Sequence, residues 1–244
     1  MASTGQGLRL EESGHGSPAL LLDWTPWGAT ALAEALASRY RVISVNLPGV
    51  DDRAGSAEQV AVLVADMAES AGLDSFALVG VSLGASVALR VALLRPATVT
   101  TLALVSPLCV EPAAHRTWNT PELAARAMLA HPEDAACRLP DALRTATLST
   151  LWERWQTSSG DAAGLLPDIA CATLAVFGQE DRLVSRGAGG VWKERVPNCS
   201  VCYVYDAGHA IAVERPGALL NVTLDFMERR ETFIVENRSF LVNP

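Results

Sequence analysis

Residues Phe76–Leu94 read FALVGVSLGASVALRVALL, and the fold turns on why one serine stands between two glycines in that run. Phe76 to Val79 form an apolar run of strand length. Leu83 to Leu94 carry only Ser86 and Arg90 as polar side chains, which predicts a helix buried nearly all round. Gly80-Val81-Ser82-Leu83-Gly84 is the junction between them. A strand that turns at once into a helix brings neighbouring backbone close, so glycine on both sides of the serine avoids a collision and pushes the hydroxyl up at the strand's carboxyl end. The helix aims its first free N–H groups at the same space, where an oxyanion would be stabilised. A serine before a helix also commonly acts as an N-cap, so the direction of its hydroxyl separates the two roles.

Short apolar runs alternate with helical patterns on either side of this junction. Strands are predicted at Leu8–Glu12, Ala19–Leu22, Arg41–Asn46, Phe76–Val79, Thr100–Val105, Thr173–Phe177 and Val201–Tyr205, with helices between them, which is the pattern of a mostly parallel α/β sheet flanked by helices. Ser56–Ala71 places Val60, Leu63, Val64, Met67 and Ala71 on one stripe and turns Asp66 and Glu69 away from it. Between Pro107 and Pro167 the alternation stops. Helical stretches near Pro121–His131 and Pro140–Thr157 fill the interval, so residues 108–166 are expected to form a small helical insertion late in the sheet and residues 1–107 and 167–244 the core. The tail TFIVENRSFLVNP is too apolar to hang free and is expected to form a hairpin, dock on the core or build a homo-oligomer interface.

Composition excludes several classes. The chain has 244 residues, 50% hydrophobic and 19% charged, which suits one globular core. A formal net charge of -8 without a long basic run disfavours nucleic acid and anionic membrane surfaces as partners. The run Ala19-Leu20-Leu21-Leu22 is too short to span a bilayer, and a soluble, cytoplasmic protein is expected. Five cysteines, Cys109, Cys137, Cys171, Cys199 and Cys202, lack the paired spacing of a four-thiolate metal site and read as free thiols. No metal or other cofactor is expected.

A serine hydroxyl is a poor nucleophile until a base takes its proton and a third group orients that base. Later strand ends offer both, in order. LAVFGQEDRLVS puts Asp181 four residues past Phe177, and YVYDAGHAIAVERP puts His209 in a Gly turn after the next strand. His15 sits in an apparent turn before the second strand, and His115 and His131 fall in the insertion. Asp206 is too near His209 in sequence to orient it easily, and Glu180 is expected to point away.

With these motifs, VGVSLGA, FGQEDRLV, DAGHAIAVERP and the weaker VISVNLPG, the chain resembles the α/β-hydrolase superfamily over nearly its whole length. The resemblance implies the α/β-hydrolase fold with a cap, Ser82 as nucleophile, His209 as general base and later acid, and Asp181 as the residue that orients the imidazole. Relatives with aspartate at the elbow make an alkyl ester; Ser82 points to an acyl-enzyme. The resemblance also exposes a departure. Where family members commonly carry His-Gly after the second strand, this chain has Asp23-Trp24, which leaves Thr25 at the oxyanion position beside Leu83, or Trp24 if the register slips by one. Enol-lactone hydrolases of the superfamily also lack that His-Gly. The Asp23 carboxylate is expected to turn into local hydrogen bonds, since an acid facing an oxyanion would cost catalysis. NLPGVDDRAG, with Asn46, Asp51 and Asp52, departs from a second family turn and reads as a solvated acidic loop.

Trp24 and Trp27 flank the expected mouth of the site and Trp118, Trp152 and Trp155 lie in the insertion, an arrangement suited to an apolar or aromatic group as well as to core packing. No Arg or Lys cluster marks a phosphate or coenzyme A site. The expected activity is hydrolysis of a carboxylic ester or lactone of a small-molecule substrate by a serine hydrolase resembling carboxylesterases. The alternatives are carbon–carbon bond hydrolysis or lyase chemistry on the same residues, or ligand sensing without turnover.

Overall fold

The computed structural model describes residues 2–3, 9–28, 31–46, 55–112, 118–133, 140–158, 162–233 and 241–242. Among the described residues nine strands form one sheet: β1 (Ala2–Ser3), β2 (Arg9–Ser13), β3 (Pro18–Trp24), β4 (Arg41–Asn46), β5 (Phe76–Ser82), β6 (Val99–Val105), β7 (Ala172–Gly178), β8 (Cys199–Val204) and β9 (Leu241–Val242). Their order is β1-β2-β4-β3-β5-β6-β7-β8-β9. The run from β4 to β8 is parallel, while β2 on β4, β1 on β2 and β9 on β8 are antiparallel. All seven expected strands are present, and the two-residue strands at the margins, too short to leave a sequence pattern, are additional.

Each parallel strand is buried on both faces, so its side chains divide by alternation. Leu20, Leu22, Leu78, Leu102, Leu104 and Phe177 join one core, with α2 (Ala57–Ser70) and α3 (Leu83–Leu94). Leu21, Val79, Val81, Val105, Val176 and Cys202 join the other, with α1 (Ala31–Ala37) and α8 (Pro216–Arg229). Cys199 and Cys202 therefore lie on opposite faces of β8 and cannot pair, and burial pushes the Cys199 thiol up to about 12. The remaining helices are α4 (Pro121–Met128), α5 (Ala142–Ser158), α6 (Ala188–Arg195) and the short α7 (Ile211–Glu214). α4 and α5 both fall in the long connection from β6 to β7.

α3 lies under the sheet as its composition predicts. Every residue from Leu83 to Ala92 is buried, including Arg90, whose Nε donates to Glu58 Oε1 at 2.5 Å and whose Nη1 donates to the Ser86 carbonyl at 2.8 Å. α2 differs from expectation at its end. Ala71 is exposed because the helix closes on it as C-cap, and the buried stripe instead widens through Ala61, Ala65 and Ala68. Asp66 and Glu69 do turn outward, where both pair with Arg95. Of the tail, Phe233 is buried with its ring 5.5 Å from that of Phe226, and Leu241–Val242 adds to β8; residues 234–240, like the acidic loop at 47–54 and Cys137, lie outside the described residues. Among the described residues no helix is long and apolar enough to cross a membrane.

Candidate active site

Ser82 is the last residue of β5 and the residue before α3, with φ 57° and ψ -119°. That region costs a non-glycine residue about 1–3 kcal/mol, so surrounding structure must hold it there. The two glycines explain how. A Cβ on Gly84 would run into the Leu22 carbonyl of β3, and one on Gly80 would stand 2.6 Å from the Ala85 Cα and 2.7 Å from the Ala88 Cβ. Only glycine lets β5, α3 and β3 approach this closely. The Ser82 hydroxyl does not cap α3; its Oγ lies 2.9 Å from His209 Nε2.

The imidazole is held from three sides. Asp181 Oδ2 lies 2.8 Å from His209 Nδ1, and both side chains are almost fully buried. Asp181 follows the turn after β7, where a Cβ on Gly178 would strike the Gly208 carbonyl, so the acid loop and the histidine loop are packed backbone to backbone. Its other oxygen, Oδ1, accepts the Leu183 and Val184 N–H groups at 2.8 and 3.2 Å. A carboxylate on Nδ1 selects the tautomer with the proton there, which leaves Nε2 to accept from the Ser82 hydroxyl. From below, Ser106 Oγ donates to the His209 carbonyl at 2.8 Å.

The third hold comes from the segment that leaves α4. Ala210 N–H donates to the Met128 carbonyl at 3.0 Å. Glu214 Oε2 accepts the Gly208 N–H at 2.6 Å and its Oε1 accepts the Ala130 N–H at 2.7 Å. From the acid loop, Arg182 Nη1 donates to the Leu129 carbonyl at 2.5 Å and Nη2 to the Ala130 carbonyl at 3.2 Å. Burial raises the Glu214 carboxyl above the ordinary glutamate range, against the lowering effect of the N–H groups that bond it. Ser106, Arg182 and Glu214 were not singled out by sequence. Glu214 had the nearest signal, an acid on the short helix right after His209, but nothing in sequence says that its partner lies 84 residues away.

The oxyanion candidates meet by register. Trp24 pairs with Ser82 across the parallel strands β3 and β5, so Thr25 and Leu83 leave adjacent strand ends side by side. Asp23 is buried with its charge facing Arg144 of α5. Trp24 is buried and its indole N–H donates to the Val45 carbonyl at 2.7 Å, with its ring 6.4 Å from that of Trp155. Trp118, Trp152 and Trp155 are buried in the same core, and Trp27 packs against it while remaining partly exposed. His131 and Asp206 are engaged with each other at 2.5 Å, Asp206 also pairs with Arg215, and Glu180 is exposed. Among the described residues no three or more His, Cys, Asp or Glu side chains are grouped to hold a metal ion.

Ser82, His209 and Asp181 thus stand in one hydrogen-bonded line at the carboxyl edge of a mostly parallel sheet flanked by helices, the architecture of an α/β hydrolase. Residues 14–222 match the Alpha/beta hydrolase family, and the chain belongs to it. Among curated proteins it is 28% identical over 207 residues to the "Putative carbamate hydrolase RutD" of Klebsiella pneumoniae subsp. pneumoniae, covering 73% of this chain and 78% of that protein. Among solved structures it resembles a bacterial membrane phospholipase A (TM-score 0.75, 23% identity, 91% of this chain and 82% of that one). It also resembles the carboxylesterase CesB of Bacillus subtilis (TM-score 0.72, 20% identity, 92% and 89%). The family and these relatives support a hydrolase.

Proposed function

We propose that the chain is a cofactor-independent serine hydrolase that cleaves a carboxylic ester or lactone of a small apolar or aromatic substrate through an acyl-enzyme. The observation that carries this reading is the direction of the Ser82 hydroxyl, which leaves the helix it precedes uncapped and bonds to His209 Nε2 at 2.9 Å. In this reading Ser82 Oγ attacks the substrate carbonyl carbon while Nε2 takes its proton, and Asp181 stabilises the imidazolium that forms. The Leu83 and Thr25 N–H groups bind the oxyanion. Collapse expels the alcohol, which His209 protonates, and water then repeats the sequence on the acyl-enzyme. Residues 108–166 serve as a cap over the core. Trp27, half-buried, is the tryptophan that meets substrate in this reading, since Trp24, Trp118, Trp152 and Trp155 are buried in the core. The acidic balance and the free thiols of Cys109, Cys171, Cys199 and Cys202 suit a cytoplasmic enzyme.

A second reading follows from the curated relatives. A carbamate presents the same kind of carbonyl, and attack by Ser82 would give a carbamoyl-enzyme in place of an acyl one. The test is a mass measurement after a fluorophosphonate probe, followed by a panel of p-nitrophenyl esters, lactones and carbamates. A single adduct on Ser82 and multiple turnovers of esters or lactones are expected. Turnover confined to carbamates would move the assignment to the second reading, and an unmodified Ser82 would end both.

A further inference from the structure

We propose that Arg144, on the first turn of α5, is a positioning residue that sets the oxyanion donors of the β3 loop; this rests on the serine hydrolase reading above. Its Nε donates to the Thr25 carbonyl at 2.6 Å and its Nη2 to the Asp23 carbonyl at 3.2 Å. These two carbonyls belong to the peptide units on either side of the one that joins Trp24 to Thr25. A peptide unit is planar and trans, so fixing a carbonyl fixes the N–H opposite it. Arg144 thus fixes the Asp23–Trp24 unit and with it the Trp24 N–H. It also fixes the Thr25–Pro26 unit, which has no N–H to give. The Trp24–Thr25 unit, held at both ends, carries the Thr25 N–H. Whichever of the two donors meets the oxyanion, its direction is set from α5.

Three features make this more than a chance contact. Thr25 O also accepts the Gly28 N–H at 3.1 Å, so the turn and the guanidinium converge on one oxygen, and Gly28 has φ 81° beneath the arginine. The backbone of Arg144 is itself anchored, its N–H donating to Asp141 Oδ1 at 2.7 Å. Burial lowers the guanidinium from its ordinary range while the charges of Asp23 and Asp141 support it. The Asp23 carboxylate, so awkward beside an oxyanion, has a cation to face. With two donors given to backbone carbonyls and its charge answered by Asp23, Arg144 braces the loop and is not a receptor for an anionic substrate.

The test compares wild type, Arg144→Met and Arg144→Ala with a neutral and an anionic p-nitrophenyl ester, together with the rate of fluorophosphonate labelling at Ser82. Freeing the loop is expected to lower kcat by about tenfold to a hundredfold, as a misplacement of the order of 1 Å does, with KM within about threefold. Labelling should slow in parallel. Added guanidinium ion should restore part of kcat in Arg144→Ala but not in Arg144→Met, whose side chain fills the space; a purely structural loss would show no such rescue. If Arg144→Met fails to fold, Arg144→Lys decides, since one ammonium can reach a single carbonyl and should give an intermediate kcat. Variants that label and turn over as wild type does would overturn the brace while leaving the hydrolase reading intact. A rise in KM confined to anionic esters would overturn it in favour of an anion receptor. A wild-type chain that takes no label at Ser82 would sink the hydrolase reading and this inference together.

Discussion

Ser82 and Ser106 stand side by side at the ends of neighbouring strands. Val81 pairs with Val105 across β5 and β6, so each strand runs into a serine in the same layer. Both are buried, both have positive φ (57° and 47°), and both bond His209, one at the ring and one at the carbonyl. Strain and burial therefore do not identify a nucleophile. What differs is the next residue. Ser82 is followed by Leu83, an N–H donor at the start of a twelve-residue helix, whereas Ser106 is followed by Pro107, which has no N–H and opens no helix. In the proposed mechanism Ser82 shares its developing negative charge with the helix behind it, and Ser106 serves only to hold the histidine backbone.

The comparison breaks most easily at Ser82. Replacing it with alanine is expected to lower kcat by at least about a thousandfold, because in the proposed mechanism nucleophile and base act as a unit. Turnover of a short p-nitrophenyl ester at the wild-type rate would mean that the two serines do not differ in the way argued.

Glu214→Gln comes next, because the Gly208 N–H bonds one carboxylate oxygen and the Ala130 and His131 N–H groups the other, and an amide has one acceptor oxygen and must turn its own donors toward one side. The mismatch at this partly buried site should cost about 1 kcal/mol in urea unfolding. The pH dependence has a definite sign. With its folded value raised, Glu214 contributes stability that is fully present below its unfolded value of 4.5 and is lost as pH rises through the folded one, whereas glutamine does not titrate. The gap between wild type and variant should therefore narrow from about pH 4 toward neutrality. A gap that widens would reject the buried bridge.

Ser106→Ala should be milder, at about 1 kcal/mol of stability for the lost hydrogen bond, with kcat down less than about tenfold. Its sharper use is in the Ser82→Ala background. If Ser106 works only through His209, the second substitution should leave the residual turnover unchanged, and an additive loss would give Ser106 an independent role. The smallest effect is expected at Glu180, next to Asp181 but exposed. Glu180→Ala should change kcat by less than about twofold and stability by less than about 0.5 kcal/mol, and a large loss of activity would transfer the acid's role to it.

Much of this was legible because the strands are short, apolar and punctuated by glycine, and because α3 has almost no polar side chain to misplace. That Ser82, Asp181 and His209 stand at or just past the ends of strands of the sheet could be read from their order and from the turns that carry them. Ser106, Arg182, Glu214 and Arg144 could not. Each acts on backbone atoms far away in sequence, 119 residues away for Arg144 and Thr25, and a bond to a carbonyl leaves no trace in the identity of the residue that owns it. The tryptophans were ambiguous for another reason. An indole is large enough for core or pocket, and only the bond from Trp24 to the Val45 carbonyl assigns that ring to packing.

The two-residue strands at the margins of the sheet bear on the open edges that a half-apolar chain would offer to its copies. An open strand edge is a template on which another molecule can add its own backbone, and β8, rich in cysteine and valine, would be a good one. β9 occupies that edge at Tyr203 and Val204, and its own outer margin is only two residues long. β1 does the same for β2 at the opposite side. Such short cover is expected to guard against aggregation, and trimming Leu241 and Val242 is expected to expose β8 as a nucleus for intermolecular pairing.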